Sequence, residues 1–316
     1  MSLKVGILEE SFTASSWYRT YGPLNRLRKV TKEVEVISLS TKQIDYKDLL
    51  GIDVCLVPRP NSIGQLQLLK LCKQIGIKTW VDLDDNLYEV PLTNFAHKSY
   101  KNTDILTQSI QIADLVTVST GHLALAVLDK TGIYAHVINN AIILPDNIPV
   151  NDDEIKIIWR GSNTHYADLE IYKDVFSKLK YPLHIMGCPL YWNNINYTYY
   201  EPQSIFEFFN AFKQIQPTIL LYPLQEIPFN YSKSNIAFLE GVAAGAITFT
   251  NLSTPEWNWE CIGNLKRIED SILNKSKDKL LEYYRKALDS SKTVVEKNYD
   301  LDSWNEMRLY LLNDLL

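Results

Sequence analysis

The chain is poor in the features that mark several common protein classes. Among its 316 residues only four are cysteines, and no two of them have CxxC spacing. This scarcity argues against a zinc site or a disulfide framework, and it favours a reducing cytoplasm as the compartment. No apolar run approaches the roughly 20 residues that a membrane span needs, and the short apolar start is followed at once by two glutamates, so neither a span nor a signal peptide is expected.

The sequence also lacks a basic excess and a dinucleotide fingerprint. Lys and Arg number 32 against 37 Asp and Glu, giving a formal net charge of −5. Non-specific nucleic-acid binding needs a basic footprint, so only a local basic groove remains open. Because GxGxxG is absent, a NAD-binding Rossmann unit is not expected. What is present is 46% hydrophobic residues, which indicates a globular protein with real cores, at a length that suits two domains.

Short apolar strands alternate with amphipathic helices throughout the chain. This alternation predicts an α/β fold with parallel sheets and right-handed crossovers. In the first half the predicted strands are Leu3–Leu8, Val34–Leu39, Asp53–Pro58, Lys78–Leu83, Leu115–Ser119 and His136–Asn139. In the second half they are Glu154–Trp159, Leu183–Met186, Tyr197–Tyr200, Thr218–Tyr222 and Ala246–Thr250. The Pro-, Asn- and Asp-rich stretch LPDNIPVNDDE between the halves is interpreted as an interdomain linker.

One stretch, FNYSKSNIAFLEGVAAGAITFTN at 229–251, carries the clearest functional pattern. It predicts a polar loop, a helix capped by Ser232 or Ser234, a glycine at the helix end and a strand. Free N–H groups at a helix start attract anions, and Lys233 adds a positive charge there. Glu240, about two turns on, could accept hydrogen bonds from ribose hydroxyls. The pattern therefore indicates a nucleotide site, with an ordinary amphipathic helix as the alternative.

This stretch resembles the nucleotide-sugar motif of GT-B glycosyltransferases, in particular the large retaining, family 4-like group related to sucrose and glycogen synthases. The family pattern is a Glu, seven residues, a second Glu and a small-residue helix end. LEGVAAGAITFT matches the second half with Glu240, whereas the first Glu, which contacts the donor sugar in the family, falls on Ser232. The KSNxxxLE variant looks like a divergent bacterial or phage branch. The resemblance implies donor contacts from Lys233, Ser234, Asn235 and Glu240.

A second stretch, IIWRGSNTHYADL, resembles the turn after the first strand of the second domain in these enzymes. In the family a Gly-rich loop there faces the donor diphosphate. The resemblance therefore implies phosphate contacts from Arg160, Gly161 and Ser162. His165 and Asp168 are three residues apart on one helix face and are expected to form a hydrogen-bonded pair. His165 is interpreted as a donor-side contact or, alternatively, as a helix cap.

Acidic residues supply the catalytic candidates. The cluster DLDDN contains Asp82, Asp84 and Asp85 at the end of a predicted strand. It could be a DxD metal site of the GT-A kind, a cleft carboxylate that touches the acceptor as a base, or a set of strand-end caps. Related glycosyltransferases carry a similar DxDD turn, which favours Asp84 or Asp85 in the cleft without a metal. Glu226, in the loop before the nucleotide helix, is a candidate to replace the missing first Glu.

The first helix region, SSWYRTYGPLNRL, supplies the acceptor-side candidates. The sequence predicts a polar loop over Glu9–Ser16 and a helix over Trp17–Val30. Arg19 and Ser16 would then lie near the carboxyl edge of the sheet, where open α/β folds bind ligands. An arginine on the helix surface is the alternative. Near the chain end, the spacing of Trp304, Met307, Tyr310 and Leu311 predicts a helix.

Together the motifs and the resemblance imply a GT-B protein. Residues 1–145 would form a Rossmann-like acceptor-side domain, 153–295 a Rossmann-like nucleotide-sugar domain, and 296–316 a helix crossing back to the first domain. The expected reaction is metal-independent sugar transfer with retention, from a UDP- or GDP-linked donor, with no other cofactor. The acceptor (a glycan, a small molecule or modified DNA) and the oligomeric state are left open. The alternatives are a phage DNA glycosyltransferase acting on a modified base, and a non-catalytic sugar-nucleotide-binding module.

Overall fold

The first helix starts earlier than expected. The computed structural model describes residues 2–8, 13–39 and 46–316, so the first part of the predicted loop, 9–12, lies outside the described residues. The helix begins at Ala14 because Thr13 and Ser16 form a capping box, each side chain accepting a hydrogen bond from the other's backbone N–H. The predicted loop at 14–16 is therefore wrong. A π-helical segment, Trp17–Tyr21, then continues into the main helix.

Within the described residues the strands form two six-stranded sheets, and all their pairings are parallel. The first sheet, in the order β2-β1-β3-β4-β5-β6, contains β1 (Leu3–Leu8), β2 (Val34–Leu39), β3 (Val54–Pro58), β4 (Lys78–Leu83), β5 (Leu115–Val118) and β6 (His136–Val137). The second, in the order β12-β11-β10-β7-β8-β9, contains β7 (Ile157–Arg160), β8 (Leu183–Met186), β9 (Thr198–Tyr200), β10 (Ile219–Tyr222), β11 (Ile247–Thr250) and β12 (Gly263–Asn264). The predicted strands are confirmed with ends shifted by at most three residues, and β12 was not predicted.

Helices connect the strands. In chain order they are α1 (Ala14–Ser16), α2 (Gly22–Thr31), α3 (Tyr46–Leu49), α4 (Ile63–Gln74), α5 (Asp104–Ile112), α6 (Gly121–Thr131), α7 (Tyr166–Glu170), α8 (Lys173–Ser177), α9 (Ile205–Ile215), α10 (Pro228–Tyr231), α11 (Ile236–Ala243), α12 (Lys277–Asn298) and α13 (Leu301–Leu315). Across the described ranges, none of these helices combines the length and apolar character needed to cross a membrane.

Both sheets are buried on their two faces, as parallel sheets require. In β3, Cys55 and Val57 belong to one core cluster while Val54 and Leu56 belong to another. The same alternation occurs along β10, where Ile219 and Leu221 face away from Leu220 and Tyr222. The near-continuous apolar strands of the sequence therefore follow from burial on both sides.

The last helix returns to the first sheet. Leu311 and Leu312 of α13 pack in the same cluster as Leu24 of α2 and Val5 of β1. The helix predicted from Trp304, Met307, Tyr310 and Leu311 is confirmed, and within it Met307 and Tyr310 are 45% and 66% exposed. Two polar residues of α13 are buried instead. Asn305 is buried because it donates to the Pro23 carbonyl at 3.0 Å, and Arg308 donates to Asn305 at 3.2 Å.

The glycine predicted to end the nucleotide helix does so. Gly245 has a φ of +86° after α11, a conformation that other residues rarely adopt. A Cβ atom there would lie 1.8 Å from the carbonyl oxygen of Pro149 in the connection between the sheets. Gly245 is therefore required both by the turn and by the close approach of the linker to the end of α11.

Candidate active site

A cavity of about 600 Å³ lies between the carboxyl ends of the two sheets. It brings together residues that the sequence predicts separately in the two halves of the chain. Of the predicted site residues, those that line it are Asp84, Asp85, Arg160, Gly161, Ser162, His165, Lys233, Ser234 and Glu240. Carboxyl ends of parallel strands are where open α/β sheets bind ligands, so this cavity is the candidate active site.

Arg160 and Glu240 form a buried ion pair at one side of the cavity. Arg160 ends β7, and its guanidinium also lies over the rings of Phe208 and Tyr222, 5.9 and 5.6 Å from their centroids. The other oxygen of Glu240 accepts a hydrogen bond, 2.7 Å long, from the hydroxyl of Tyr18. Burial raises the pKa of Glu240, although Arg160 and Tyr18 oppose the shift. The residue expected to bind ribose is therefore held by the arginine in this structure.

Lys233 lies just before α11 and reaches across the cavity. Its Nζ atom is 3.2 Å from Oδ1 of Asp85, which follows β4 in the other sheet. Burial disfavours the ammonium, but the nearby Asp85 outweighs it and the pKa of Lys233 is raised. Burial likewise disfavours the carboxylate of Asp85, but Lys233 and Arg59 outweigh it and the pKa of Asp85 is lowered. Both groups are thus charged, and the pair ties the two sheets together.

Arg59 organises the acidic cluster, and the sequence interpretation missed it. It follows β3 with a φ of +46°, in the left-handed region that costs energy for a side chain of this kind. Its guanidinium pairs with Asp84 and Asp85, and it donates to Ser15 Oγ at 2.9 Å. The available signal was its place directly after a strand, beside the strand that ends in DLDD.

The three carboxylates of DLDDN are all engaged by basic side chains. Asp84 and Asp85 pair with Arg59, and Asp82 pairs with Arg19. In the described part of the chain no group of three or more His, Cys, Asp or Glu side chains is arranged to hold a metal ion. Of the three interpretations of the cluster, the cleft position applies to Asp84 and Asp85, since both line the cavity.

Arg19 and Ser16, the predicted acceptor-side residues, do not line the main cavity. Arg19 is 3% exposed and donates to both Asp82 oxygens, at 2.9 and 2.7 Å, and to the Ile138 carbonyl and Asn140 Oδ1. Ser16 is buried in the capping box. Both border a smaller cavity of about 160 Å³ inside the first half. This cavity shares Ser15, Arg59 and Asp84 with the main one, so the acceptor-side assignment of Arg19 and Ser16 stays a prediction. Each guanidinium nitrogen of Arg19 already has an acceptor inside the first domain.

The residues of the first helix that do face the main cavity are Ala14, Ser15 and Tyr18. Ser15 and Tyr18 are three positions apart on one side of the helical backbone, whereas the Arg19 guanidinium is turned to Asp82. The motif SSWYRTYG contains both Ser15 and Tyr18, but the prediction favoured Arg19 because of its charge. Tyr18 is 6% exposed, and burial, with Glu240 nearby, raises the pKa of its hydroxyl well above the usual value.

The predicted pair between His165 and Asp168 is confirmed. Nδ1 of His165 lies 2.9 Å from Oδ2 of Asp168. The other oxygen of Asp168 accepts hydrogen bonds of 2.8 Å from the Gln225 backbone N–H and from Asn230 Nδ2. Asp168 is thereby fixed on two sides and holds the imidazole. The cap interpretation of His165 fails, because its side chain makes no capping hydrogen bond to α7.

Glu226 is not brought to the cavity. Its carboxylate is 47% exposed and pairs with Lys266 at the surface. Asn235, rather than a serine, occupies the N-cap of α11, without a side-chain capping bond. The serines are used otherwise: Ser234 Oγ accepts from Asn140 Nδ2 at 2.7 Å, and Ser232 Oγ donates to the Pro228 carbonyl at 3.4 Å. The capping prediction is therefore wrong.

Among the described residues, four contacts from the first half of the chain converge on the segment 232–240. They are the hydrogen bonds or ion pairs of Thr120 with Ser232, Asp85 with Lys233, Asn140 with Ser234, and Tyr18 with Glu240. The donors and acceptors of the first half come from the ends of three strands and from the first helix. The start of α11, which belongs to the second half, is consequently bound to the first half across the cavity.

A second cavity, of about 490 Å³, extends from the first toward α9. It shares Arg160, Gly161, Ser162 and Glu240 with the main cavity and adds Gly187 after β8. Gly187 has a φ of +93°, and a Cβ atom there would lie 2.5 Å from the Gly161 carbonyl oxygen. The two strand ends therefore approach so closely that a side chain at position 187 would collide with the backbone of Gly161.

No protein-family model and no curated protein sequence matches the chain, but solved structures do. Sucrose-phosphate synthase from Thermosynechococcus elongatus superposes with a TM-score of 0.71 at 10% identity, covering 99% of each chain. The trehalose-6-phosphate enzyme from E. coli, bound with UDP-2-fluoro glucose, gives 0.61 at 12% identity and 98% coverage of each chain. This chain has the GT-B fold. A mutant of S. aureus TarM, in complex with Fondaparinux, alpha-GlcNAc-glycerol and UDP, is similar to this GT-B chain with a TM-score of 0.56 at 14% identity.

The GT-B architecture explains the layout of the site. The match to TarM covers 82% of this chain and 55% of TarM, so this GT-B chain spans about half of that protein. The matches to the other two cover both chains almost fully. The two Rossmann-like domains face each other across the cavity, and α13 crosses back to the first, as predicted.

Proposed function

We propose that this GT-B protein transfers a sugar from a UDP- or GDP-linked donor to an acceptor held on the first-domain side of the cavity. The observation that carries the proposal is the meeting of Arg160, Lys233 and Glu240 around one cavity. Within this proposal we assign residues 1–145 to the acceptor-side domain, residues 153–295 to the donor-side domain and residues 296–316 to the helix that returns to the first domain. The glycosyltransferases of this fold named above, two of them with uridine nucleotides bound, support the donor class.

The difficult step in such a reaction is the departure of a diphosphate. Charge that develops on the leaving group must be stabilised by fixed donors and cations. Lys233 and Arg160 offer two positive charges in a partly buried site, and the N-terminus of the eight-residue α11 adds N–H groups. These groups support leaving-group stabilisation by the protein itself, and we expect activity to persist in EDTA.

Donor binding would require the ion pairs of the site to exchange partners. Arg160 now holds Glu240, and Asp85 now holds Lys233. A diphosphate would take over the two cations. Glu240 would then keep the hydrogen bond from Tyr18 and turn its second oxygen to the ribose hydroxyls. When the two cations move, Glu240 keeps the hydrogen bond from Tyr18 and Asp85 keeps its pair with Arg59, so neither carboxylate is left without a partner.

The acceptor side is assigned to the cluster after β3 and β4. Asp84, Asp85 and Ser15 line the cavity opposite the donor cations and are held together by Arg59. Once Lys233 moves to the diphosphate, the carboxylate of Asp85 becomes available to an acceptor hydroxyl. We further propose retention of configuration and membership of the large retaining branch, on the resemblance of the Glu240 motif. Ser232, at the position of the family's first Glu, makes the stereochemical outcome a direct test of that assignment.

The test is a measurement of UDP or GDP release from a panel of nucleotide sugars. Each donor is incubated with and without acceptors, including simple glycosides and DNA with hydroxylated bases, and anomeric configuration is read by NMR. Acceptor-dependent release supports the proposal, and transfer to DNA would identify the DNA-modifying alternative. Nucleotide binding without release would identify a binding module, and neither binding nor release would overturn the proposed function.

Lys233→Ala sharpens the test. Removing one cation from the diphosphate site should lower turnover by about 100-fold or more and weaken UDP or GDP binding. Lys266→Ala is the matched control, because Lys266 pairs with exposed Glu226 outside the cavity, and it should leave both quantities unchanged. Normal nucleotide affinity in Lys233→Ala would contradict the assigned role of Lys233.

A further inference from the structure

The hydrogen bond between His165 and Asp168 determines which imidazole nitrogen carries the proton. An ionised carboxylate only accepts hydrogen bonds, so Nδ1 of His165 must be the donor at 2.9 Å. In the neutral ring, Nε2 then has a lone pair and no hydrogen. Asp168 cannot turn away, because the Gln225 N–H and Asn230 Nδ2 bind its other oxygen. The neutral ring is therefore fixed in the tautomer with an acceptor at Nε2.

The groups around His165 favour the neutral ring in the free protein. Burial is the main cause of the lowered pKa of His165, and Lys233 and Arg160 lower it further, against the opposing effect of Asp168. The titratable and charged groups that face it come from five elements: Asp168 on α7, Arg160 at the end of β7, Tyr222 at the end of β10, Lys233 before α11 and Asp85 after β4. Asp85 is itself tied to Lys233 and Arg59, so it offers little charge to the ring.

A diphosphate in the main cavity reverses this balance. Its oxygens are acceptors, so they repel a neutral Nε2 that also only accepts. Its negative charges sit beside the ring and engage Lys233 and Arg160, the same two cations that disfavoured the imidazolium. Both changes favour one proton on Nε2, which then donates to a phosphate oxygen as a charge-assisted hydrogen bond.

We propose that His165 binds the donor diphosphate as an imidazolium, so that nucleotide binding takes up a proton from solvent at Nε2. The inference rests on the proposed function and adds to it a third, titratable cation at the leaving group. No covalent bond between heavy atoms changes in this step, since one proton moves from water to Nε2. Nucleotide affinity should consequently fall with rising pH, by at most about tenfold per pH unit, in the interval between the pKa of His165 in the free protein and its higher pKa in the complex.

Calorimetry measures the proton directly. UDP, or GDP if UDP does not bind, is titrated into the protein at pH 7.5 in two buffers of different ionisation enthalpy, and the difference in heat gives the protons taken up. His165→Gln is the matched variant, because glutamine has a side-chain N–H donor but does not titrate in this range. Ionisation of the nucleotide itself is common to both proteins and cancels in the comparison.

The expected result is that the natural protein takes up a substantial fraction of one proton more than His165→Gln. Its affinity should also fall more steeply as the pH rises from the lowered pKa of His165 in the free protein to the higher pKa in the complex. Equal uptake in both proteins would overturn the inference while leaving the proposed function intact. Failure of both nucleotides to bind the natural protein would overturn the two together. If His165→Gln does not fold or bind, the imidazole carbon resonances of His165 in the natural protein decide: no shift toward the imidazolium position on nucleotide addition rejects the proposal.

Discussion

Arg19 and Arg160 occupy comparable places in the two domains but serve different purposes. The sequence marks both as ligand contacts, since each follows the first strand of its domain. Arg19 is 3% exposed and has its guanidinium filled by Asp82, Ile138 and Asn140. Arg160 pairs with Glu240 beside two cavities, and its Nε atom has no hydrogen-bond partner in the described part of the chain.

The difference shows how a structural arginine is told from a binding one. A guanidinium whose nitrogens are all bonded to fixed acceptors has no nitrogen free to bind a ligand. Substituting such an arginine removes a contact that holds structural elements together. A guanidinium that lines a cavity and has a single carboxylate partner, as Arg160 does with Glu240, can exchange that partner for an anion that enters. Four experiments would break or sharpen this distinction.

The largest expected effect is on stability, from Arg19→Met. The substitution leaves the carboxylate of Asp82 buried, with Thr117 as its remaining side-chain donor, so the free energy of unfolding should fall by about 3–5 kcal/mol. Denaturant unfolding measures it. Arg26→Met is the matched control: its pair with Asp302 is about 40% exposed on each side and should contribute about 0–1 kcal/mol. Similar losses in both variants would show that Arg19 is not the internal tie that we describe.

The next effect is on catalysis, from Arg160→Met. Loss of a cation at the leaving group should lower kcat/KM by about 100-fold, measured as release of UDP or GDP. The free energy of unfolding should change less than in Arg19→Met, since Glu240 keeps the hydrogen bond of Tyr18 and burial already favours its protonated form. Arg160→Lys should recover part of the activity. An Arg160→Met protein with unaltered kinetics would place the donor elsewhere.

Asp85→Asn should produce a smaller change, in the opposite direction. Asp85 holds Lys233 at 3.2 Å and competes with an incoming diphosphate for the same ammonium. Removing its charge should tighten UDP or GDP binding by about fivefold, equivalent to about 1 kcal/mol. Calorimetry measures the nucleotide affinity, and kcat tests separately whether Asp85 also contacts the acceptor. A fall in kcat alongside tighter binding identifies Asp85 as an acceptor contact, whereas weaker binding would show that it supports the donor site.

The fold could be predicted from the sequence because its signals are local. Strand lengths, the alternation with helices and the Gly245 turn all depend on neighbours within a few residues, and these features are confirmed. The inward face of α13 has no such local signal, because Asn305 and Arg308 are buried through partners such as the Pro23 carbonyl, far away in the chain.

For the same reason, the sequence predicts the second-domain part of the site better than the first-domain part. Lys233, Glu240 and Arg160 stand in motifs of contiguous residues, so the second domain could be predicted. Arg59 carries no motif, and its role depends on Asp84 and Asp85, which lie about 25 residues further along the chain. Whether Arg19 points to the cavity or to Asp82 depends on a partner 63 residues away, and no local pattern encodes that choice.

The smallest expected effect belongs to Glu226→Gln, which tests the remaining catalytic candidate of the sequence interpretation. Glu226 is 47% exposed and pairs with Lys266 at the surface, outside the cavity. Its substitution should alter kcat/KM by less than about twofold and the free energy of unfolding by about 0.5 kcal/mol or less. Asp84→Asn, made in parallel, alters a carboxylate that lines the cavity and should lower kcat. If instead Glu226→Gln were the slower enzyme, the loop before α10 would have to move into the cavity during the reaction.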